Sequence, residues 1–374
     1  MKILFVGQRG VPALIEKARP ERRVQALAQA LAEDGHDVAV SCGQPFVSQN
    51  ISRFNGVELV HLFSLDPAKA GGWVHAFLEL VIIWWRQSDV VHVHGWKLAA
   101  LCRVAAFLTP RSTFVWTVDA IPSWPLWIVR PIVRGAAKVF DAVTVPTRAL
   151  QYVLARDLRV TTNYVPDGYT SAALPNIPLK HFGLRHGQQY VLTLAGTPQA
   201  TRAVARACAQ AGLRRKLVVL KEQRGVWTRL AKRFPFLHFA GEQSGRALAT
   251  LLAQASVVVV ADNDAPHDAI LQTMDYGRAV VATTPSPAEE VLGGAALFVK
   301  ADDATGLTAV LKSVAGSCRR QAAWGAKAQR RARAHFTWPR IVPEYVALYH
   351  YPQVKPVTLD SARQTFLTEL PAVR

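Results

Sequence analysis

Two histidines, His92 and His94, are the side chains whose type and spacing most clearly permit chemistry. They alternate with valines in a short apolar run, so in a β-strand both would lie on one face. There a neutral imidazole can bind a hydroxyl group or shuttle a proton. A metal site is disfavoured because no carboxylate or cysteine companions accompany the pair. For His92, simple packing at the end of the sheet is an equal alternative.

The elements that must position these residues are two series of short apolar runs. Strands are predicted at 3–6, 37–41, 57–61, 90–94, 113–118 and 142–145, and again at 190–194, 216–220, 237–239, 257–260 and 279–282. Helical periodicity fills most of the intervals. Apolar, β-branched strands of this kind are typical of parallel sheets covered on both faces.

The length of 374 residues exceeds what one core usually holds, which predicts two domains. The polar stretch 169–189 contains proline and glycine and is predicted to be a linker. We therefore expect an α/β fold with two doubly wound domains, 1–168 and 190–335, facing a cleft. Ligands in such sheets bind outside the carboxyl ends of the strands, so the loops there are the candidate sites.

The segment 257–299 resembles the donor half of the GT-B glycosyltransferases, specifically the large retaining family that uses nucleotide sugars. Members typically read E-G-F-G-L-x-x-x-E-A-M-A-x-G-x-P-V-x-A. This chain keeps Met274 and Gly277 of that pattern, but has Asp264 and Gln272 at its two glutamates. The resemblance extends over roughly residues 1–350. It implies that the range 336–374 begins with a helix that crosses back to the first domain. Residues from 351 onward are expected to form an irregular tail.

The resemblance assigns donor contacts to the second domain. Asp264 would contact the transferred sugar and Gln272 the ribose. The family pattern G-R-x-x-x-x-K-G falls on Gly196, with Thr197 in place of the arginine and Arg202 in place of the lysine. Arg202 would thus steady the diphosphate alone, and loss of one such cation commonly removes a few kcal/mol of transition-state stabilisation.

A later stretch, 283–291, resembles the family pattern T-D-x-G-G-x-P-E-V and adds Glu290 to the donor side, although its glycine pair is missing. The N-terminal loop contains Gly10 and resembles the family opening G-x-x-G-I-P, again without the following glycine pair. Side chains of Arg19, Arg22 and Arg23 are one alternative source of phosphate contacts. A solvated basic turn is the other.

On the acceptor side, His94 ends a strand similar to the family's D-V-V-H-x-H. Asp119 stands where the family pattern T-x-H-G has a histidine that positions the transferred sugar. An ionised aspartate accepts hydrogen bonds but cannot donate one, so recognition is retained there and proton donation is lost. The resemblance therefore implies a catalytic group of Asp264, Asp119 and His94, without a metal or a cofactor other than the donor.

The net charge of +18, from 44 Lys plus Arg against 26 Asp plus Glu, favours an anionic partner. A nucleic acid is disfavoured because no recognition motif accompanies the charge and the basic residues are spread along the chain. Four scattered cysteines argue against a disulfide framework. With no cleavable signal evident at the N-terminus, the expected location is the cytoplasm.

Tryptophan and arginine are mixed in 121–134 and again in 73–86, in runs too short to span a bilayer. Tryptophan beside arginine on an amphipathic element suits the lipid interface, and the positive charge favours anionic lipids. This predicts peripheral binding to the inner face of the membrane. The alternative is an interior helix whose arginines extend to solvent.

Together these features predict an enzyme that moves a hexose from a nucleotide diphosphate sugar to a glycan or lipid-linked acceptor, with retention of configuration. The alternative is a catalytically inactive GT-B relative that binds a glycan, a nucleotide or a partner protein. Changes at several contact positions, among them Thr197, Gln272 and Asp119, keep that alternative open.

Overall fold

The computed structural model describes residues 1–12, 19–44, 51–63, 71–121, 124–171, 177–261 and 266–352. The chain divides into two compact units. The first contains Met1–Gly168 and the helix that begins at Trp338, and the second is Tyr169–Thr337. Each unit contains a parallel sheet with helices on both faces, which confirms the predicted α/β class.

The first unit is built on one twisted sheet. Its strands are β1 (Lys2–Val6), β2 (Asp37–Gln44), β3 (Arg53–Phe54), β4 (Val57–Phe63), β5 (Val90–His94), β6 (Thr113–Thr117), β7 (Ala142–Val145) and β8 (Asn163–Tyr164). They lie in the order β3-β4-β2-β1-β5-β6-β7-β8, and all neighbours are parallel except β3 and β4. Strand order reverses between β1 and β5, where Ile3 lies beside Val90. A reversal of this kind leaves a crevice at the carboxyl ends of the strands.

Helices cover both faces of the first sheet. They are α1 (Arg19–Glu33), α2 (Gly71–Arg86), α3 (Trp96–Leu108), α4 (Leu126–Ala137) and α5 (Arg148–Val153), the last continuing into a π-helical turn at Leu154–Leu158. The inner residues of α2, α3 and α4 share one hydrophobic core with the sheet. The apolar side chains of α1 pack in the core on the opposite face.

The second unit has the same design. Its strands are β9 (Tyr190–Thr193), β10 (Lys216–Val219), β11 (Leu237–Phe239), β12 (Val257–Val260), β13 (Ala279–Thr284) and β14 (Leu297–Lys300), in the order β11-β10-β9-β12-β13-β14. Its helices are α6 (Pro198–Gln210), α7 (Val226–Arg233), α8 (Gly245–Gln254), α9 (His267–Asp275), α10 (Ala288–Leu292), α11 (Ala304–Ala315) and α12 (Cys318–His335). Short 3₁₀ turns occur at Leu179–Phe182 and Gly293–Ala295. Strand order reverses between β9 and β12.

A last helix, α13 (Trp338–His350), belongs to the first unit. It buries Trp338, Ile341, Tyr345 and Tyr349 in the same core as α1. The predicted tail from 351 lies outside the described residues except for its first two positions. In the stretch predicted to be a linker, Leu179, Phe182 and Leu184 are buried in the core of the second unit.

Three strands, β3, β8 and β14, are absent from the sequence prediction, and each is at an edge of its sheet. Strands β3 and β8 are two residues long with side chains that are at least partly exposed, so neither shows the apolar run that marks the central strands. Strand β14 is four residues long, and only one of its side chains is buried. Across the described ranges, no helix is both long enough and apolar enough to cross a membrane.

Candidate functional site

A pocket of about 240 Å³ lies in the first unit at the carboxyl ends of β1, β5 and β6. It occupies the point where strand order reverses, as expected for a ligand site in this kind of sheet. The lining residues come from three loops and the first turn of α1: Gly7, Gln8, Arg9, Glu21, His94, Gly95, Trp96, Trp116, Thr117, Val118, Asp119 and Ala120.

The loop after β1 passes very close to the end of β5. Gly7 has a φ of +91°, and a Cβ there would lie 1.6 Å from the carbonyl oxygen of His94. Only glycine therefore allows this approach. The Gly7 amide donates a 2.7 Å hydrogen bond to Glu79, a fully buried carboxylate on α2. Gly10 is buried and has a φ of +135°. The loop is thus fixed by the neighbouring elements.

His94 and Asp119 form a hydrogen-bonded pair in the pocket wall. The distance from His94 Nδ1 to Asp119 Oδ2 is 3.2 Å. An ionised carboxylate can only accept, so Nδ1 carries the hydrogen and donates it. In the neutral imidazole this leaves Nε2 with a lone pair. His94 is 1% exposed, and within the described ranges its Nε2 has no hydrogen-bond partner.

Arg23 of α1 holds Asp119 in its ionised form. Its guanidinium bonds both Asp119 and Asp167, and its side chain is only 8% exposed. Burial opposes ionisation of Asp119, but the charge of Arg23 and the hydrogen bond from His94 outweigh burial and lower the pKa of Asp119. Carboxylates engage both sides of the Arg23 guanidinium, which disfavours a phosphate contact from this arginine.

Three residues that line the pocket each keep one buried polar atom without a partner in the described part of the chain: Gln8 Oε1, His94 Nε2 and Trp116 Nε1. The Gln8 amide donates to the carbonyls of Phe5 and Ser41, both at 3.2 Å, which leaves its oxygen as an acceptor. Buried polar groups are normally satisfied. Two acceptors and one donor are therefore buried within residues of the pocket wall.

His92 has a structural role. It is fully buried, with Nδ1 2.8 Å from the Tyr349 hydroxyl and Nε2 2.7 Å from Thr117 Oγ1. Both ring nitrogens thus form hydrogen bonds with side chains of α13 and β6. The imidazole also stacks on that of His94, with 4.8 Å between the ring centroids. The packing alternative is therefore the one that the structure favours for His92. Burial and the nearby His94 and Arg23 charges lower the pKa of His92 well below its usual range.

This lowered pKa predicts acid sensitivity. The unfolded chain protonates His92 near its ordinary pKa of about 6.5, whereas the folded chain does not, so the stability present above pH ~6.5 is lost as the pH falls. We expect the free energy of unfolding to fall by up to about 1.4 kcal/mol per pH unit from this group between pH 6.5 and 5. Denaturant unfolding across that range measures the slope.

In His92→Gln the slope should be smaller, although the hydrogen bonds to Tyr349 and Thr117 weaken at every pH. His186→Gln, which changes an exposed histidine, is the matched control and should leave the slope as in the unaltered protein. An equal slope in the unaltered protein and in His92→Gln would contradict the assignment.

In the second unit, Gly196 and Thr197 follow β9 and are exposed. Thr197 is the N-cap of α6, and its hydroxyl accepts a 3.3 Å hydrogen bond from the Ala200 amide. A threonine here therefore stabilises the helix start in place of the charge that an arginine would bring. Arg202 is exposed in the next turn of α6, where the charges of Arg206 and Arg233 lower its pKa.

The remaining donor-side candidates follow the next strands. Gln272 lies on α9 and is partly buried. Glu290 lies on α10, and its backbone carbonyl accepts a 2.9 Å hydrogen bond from Arg331. The preceding Glu289 is buried and caps the start of α10 by accepting from the Ser286 amide at 2.7 Å. Asp264 lies outside the described residues. Gly196, Thr197, Gln272 and Glu290 all belong to segments that follow parallel strands at the carboxyl edge of the second sheet.

Sequence reasoning missed Gln8 and Trp96 as pocket residues and Asp167 as a partner of Arg23. The first two lie two residues after the ends of β1 and β5, so the strand-end rule could have indicated them. Asp167 is 144 positions from Arg23, and no local pattern signals that pairing. In the ranges that the structure covers, no group of three or more His, Cys, Asp or Glu side chains could hold a metal ion.

The model of one known protein family matches most of the first unit. The model described as Glycosyltransferase Family 4 matches residues 20–168, a range that includes Arg23, His94, Asp119 and Asp167. No curated protein matches the chain.

Solved structures align over nearly the whole chain. Sucrose-phosphate synthase from Thermosynechococcus elongatus is 15% identical with a TM-score of 0.67, covering 98% of this chain and 99% of that one. HepE from Anabaena, solved in complex with UDP and glucose, is 15% identical with a TM-score of 0.68, covering 94% and 99%. The α,α-trehalose 6-phosphate synthase from Burkholderia multivorans is 15% identical with a TM-score of 0.65, covering 100% and 99%. The chain therefore has the GT-B fold, and the predicted resemblance to the GT-B glycosyltransferases is confirmed.

Proposed function

We propose that this GT-B protein is a glycosyltransferase that moves a hexose from a nucleotide diphosphate sugar to a glycan or lipid-linked acceptor. The observation that carries this proposal is the pocket of the first unit, in which Gln8 and His94 present buried acceptor atoms. Sugar hydroxyls are donors that satisfy such atoms. The family match over the same unit supports the assignment.

The donor is proposed to bind the second unit. HepE, which shares the fold, has been solved with UDP and with UDP-glucose, and this supports a uridine or related nucleotide sugar here. Gln272 would bind the ribose hydroxyls and Arg202 the diphosphate. Asp264 would contact the transferred hexose. Gly196, Thr197 and Glu290 complete the proposed donor side.

In the proposed reaction the acceptor hydroxyl oxygen forms a bond to the anomeric carbon. The bond between that carbon and the diphosphate oxygen breaks, and its electron pair leaves with the nucleoside diphosphate. The hydroxyl proton passes to His94 Nε2, and Asp119 stabilises the resulting imidazolium through Nδ1. Arg23 keeps Asp119 ionised throughout. We further propose that the acceptor oxygen attacks from the same face that the diphosphate leaves, so that the hexose retains its anomeric configuration, as the family resemblance implies.

Nuclear magnetic resonance spectra recorded during turnover test both the transfer reaction and its stereochemistry. The protein is incubated with a UDP-hexose and membrane-extracted acceptor, and the anomeric proton of the product is followed from the first minutes. We expect release of nucleoside diphosphate and a product with the donor's configuration. An inverted product would contradict retention while leaving transfer itself intact.

Substitutions on the donor side should separate the ribose contact from the diphosphate contact. We expect Gln272→Ala to weaken binding of both a nucleoside and a nucleoside diphosphate roughly two- to tenfold, because one or two neutral hydrogen bonds are lost. Arg202→Ala should weaken only the diphosphate, by roughly tenfold or more, because its contact is charge-assisted. Isothermal titration calorimetry measures both.

Arg229→Ala, which removes an exposed arginine of α7, is the matched control for charge and should leave both affinities unchanged. If the unaltered protein and Arg202→Ala bind the nucleoside diphosphate with equal affinity, the diphosphate does not contact Arg202.

The proposed setting is the cytoplasm, with the enzyme on the inner face of a membrane that holds its acceptor. The charge of +18 and the content of exposed tryptophan support an anionic lipid surface.

The second candidate function is a catalytically inactive relative that binds a glycan, a nucleotide or a partner. One observation favours it: the hydroxyl of Thr197 caps α6 where the family has a diphosphate-binding arginine. Nucleotide-sugar binding without any turnover in the resonance experiment would support this alternative.

A further inference from the structure

The water-facing sides of α2, α3 and α4 carry large apolar side chains. We call this surface the outer aromatic face, defined by Phe77, Trp84, Trp85, Phe107, Leu126 and Trp127. Phe107 is 84% exposed, Trp127 77% and Trp85 70%. A helix on the surface of a soluble domain normally turns polar residues outward, so this pattern is the reverse of the expected one.

These side chains form one surface. On α2 the positions 77, 81, 84 and 85 follow helical spacing, opposite the buried stripe of Ala76, Leu80 and Ile83. Helix α2 packs beside α3, and α3 packs beside α4. Since all three bury their inner residues in the same core, their outer stripes lie side by side. Contiguous exposed apolar patches of this kind mark interaction sites in soluble proteins.

The charged residues of these three helices indicate which kind of partner fits the outer aromatic face. Their exposed charged side chains include Arg103, Arg130 and Arg134, and the one carboxylate in the three helices, Glu79, is fully buried. Tryptophan and arginine on one surface match the boundary between headgroups and acyl chains of an anionic bilayer. A second copy of this chain would bring the same positive charges face to face and is disfavoured.

The outer aromatic face adjoins the pocket through three tryptophans. Trp96 lines the pocket, and its ring contacts the rings of Trp73 and Trp124 edge-on. The distances between ring centroids are 5.8 Å to Trp73 and 4.9 Å to Trp124. Trp73 and Trp124 are 42% and 48% exposed. Apolar surface therefore continues from the outer aromatic face to the pocket wall.

We propose that the outer aromatic face docks on an anionic lipid bilayer, and that Trp73, Trp96 and Trp124 lead the head group of a lipid-linked acceptor from that bilayer into the pocket. The second half of this proposal rests on the proposed function, since it takes the acceptor from there. Docking itself does not depend on the donor, which allows the two to be tested apart.

Vesicle flotation with the full chain tests docking. We expect the protein to float with vesicles of phosphatidylglycerol and phosphatidylcholine, and to float much less with phosphatidylcholine alone. The triple variant Trp85→Ser, Phe107→Ser, Trp127→Ser should lose at least tenfold in vesicle affinity, because its apolar anchors are removed. The double variant Arg130→Gln, Arg134→Gln should lose roughly fivefold per arginine at low salt.

Two controls match these variants. Arg229→Gln with Arg246→Gln removes the same charge from exposed positions of the second unit, and Tyr351→Ser removes an exposed aromatic ring away from the three helices. Both should float as the unaltered protein does.

Failure to float with anionic vesicles, or equal flotation of the triple variant, would overturn the proposal. So would a concentration-dependent dimer in sedimentation that the triple variant abolishes, because the face would then join two copies. Calorimetric titration with nucleotide sugars in the absence of lipid is run on the same samples. Donor binding that persists without flotation rejects docking alone, whereas flotation without donor binding rejects the proposed function alone.

Discussion

Replacing His94 by Gln is expected to slow hexosyl transfer by roughly 10²- to 10⁴-fold, the usual contribution of a positioned general acid or base. His94 Nε2 is the buried atom proposed to take the acceptor proton, and its Nδ1 is held 3.2 Å from Asp119. A glutamine keeps a polar side chain at this position but has no basic nitrogen. The rate of nucleoside diphosphate release with donor and acceptor present measures the loss.

Asp119→Asn should produce a comparable loss for a different reason. An asparagine amide can donate to Nδ1, which would move the imidazole hydrogen to Nε2 and remove the proton-accepting lone pair. Donor affinity should stay within about twofold in both variants because the donor is proposed to bind the second unit. Full transfer activity in folded His94→Gln would exclude His94 as the proton acceptor.

Replacing Arg23 by Met is expected to destabilise the first unit by about 3–5 kcal/mol, because Asp119 and Asp167 would be left as carboxylates without their buried partner. The side chain of Arg23 is 8% exposed, and those of Asp119 and Asp167 are 16% and 30%. At roughly 2–4 °C per kcal/mol, the thermal midpoint of this unit should fall by about 10 °C. Scanning calorimetry measures it.

Arg156→Met is the matched control. Arg156 also bonds an aspartate through two nitrogens, at 2.6 and 2.8 Å, but its side chain is 53% exposed. Exposed pairs contribute about 0–1 kcal/mol, so this variant should melt within a few degrees of the unaltered protein.

Neutralising the stranded carboxylates should restore much of the lost stability. Arg23→Met combined with Asp119→Asn and Asp167→Asn carries no uncompensated buried charge, and we expect it to melt above Arg23→Met alone. A loss in Arg23→Met no larger than in Arg156→Met would show that the Arg23 network does not hold the pocket wall.

The central strands were predictable because a strand that is buried on both faces of the sheet has a continuous run of apolar residues. The bounds of β5 and β7, Val90–His94 and Ala142–Val145, are those that the apolar pattern predicts. The edge strand β3 was not predictable, because Arg53–Phe54 has no apolar run and is defined only by its pairing with β4.

For the candidate site, the strand-end rule indicated the loops after β5 and β6, because parallel strands bring their carboxyl ends to one edge. Residue type and spacing indicated His94, and the family resemblance indicated Asp119. The pairing of Arg23 with Asp167 joins residues 144 positions apart and depends on the packing of α1 against the first sheet. The cap made by Thr197 was hidden for another reason. A threonine at that position looked like a lost charge, whereas its hydroxyl stabilises the start of α6.

The proposed glycosyltransferase function depends most directly on a working donor site. The measurement that tests it is calorimetric titration of the purified, folded chain with a panel of nucleotide sugars and free nucleoside diphosphates. We predict saturable binding of one member at one site per chain, weakened in Gln272→Ala and in Arg202→Ala. Absence of binding to every member of the panel would contradict the glycosyltransferase assignment and leave the GT-B fold serving a different function.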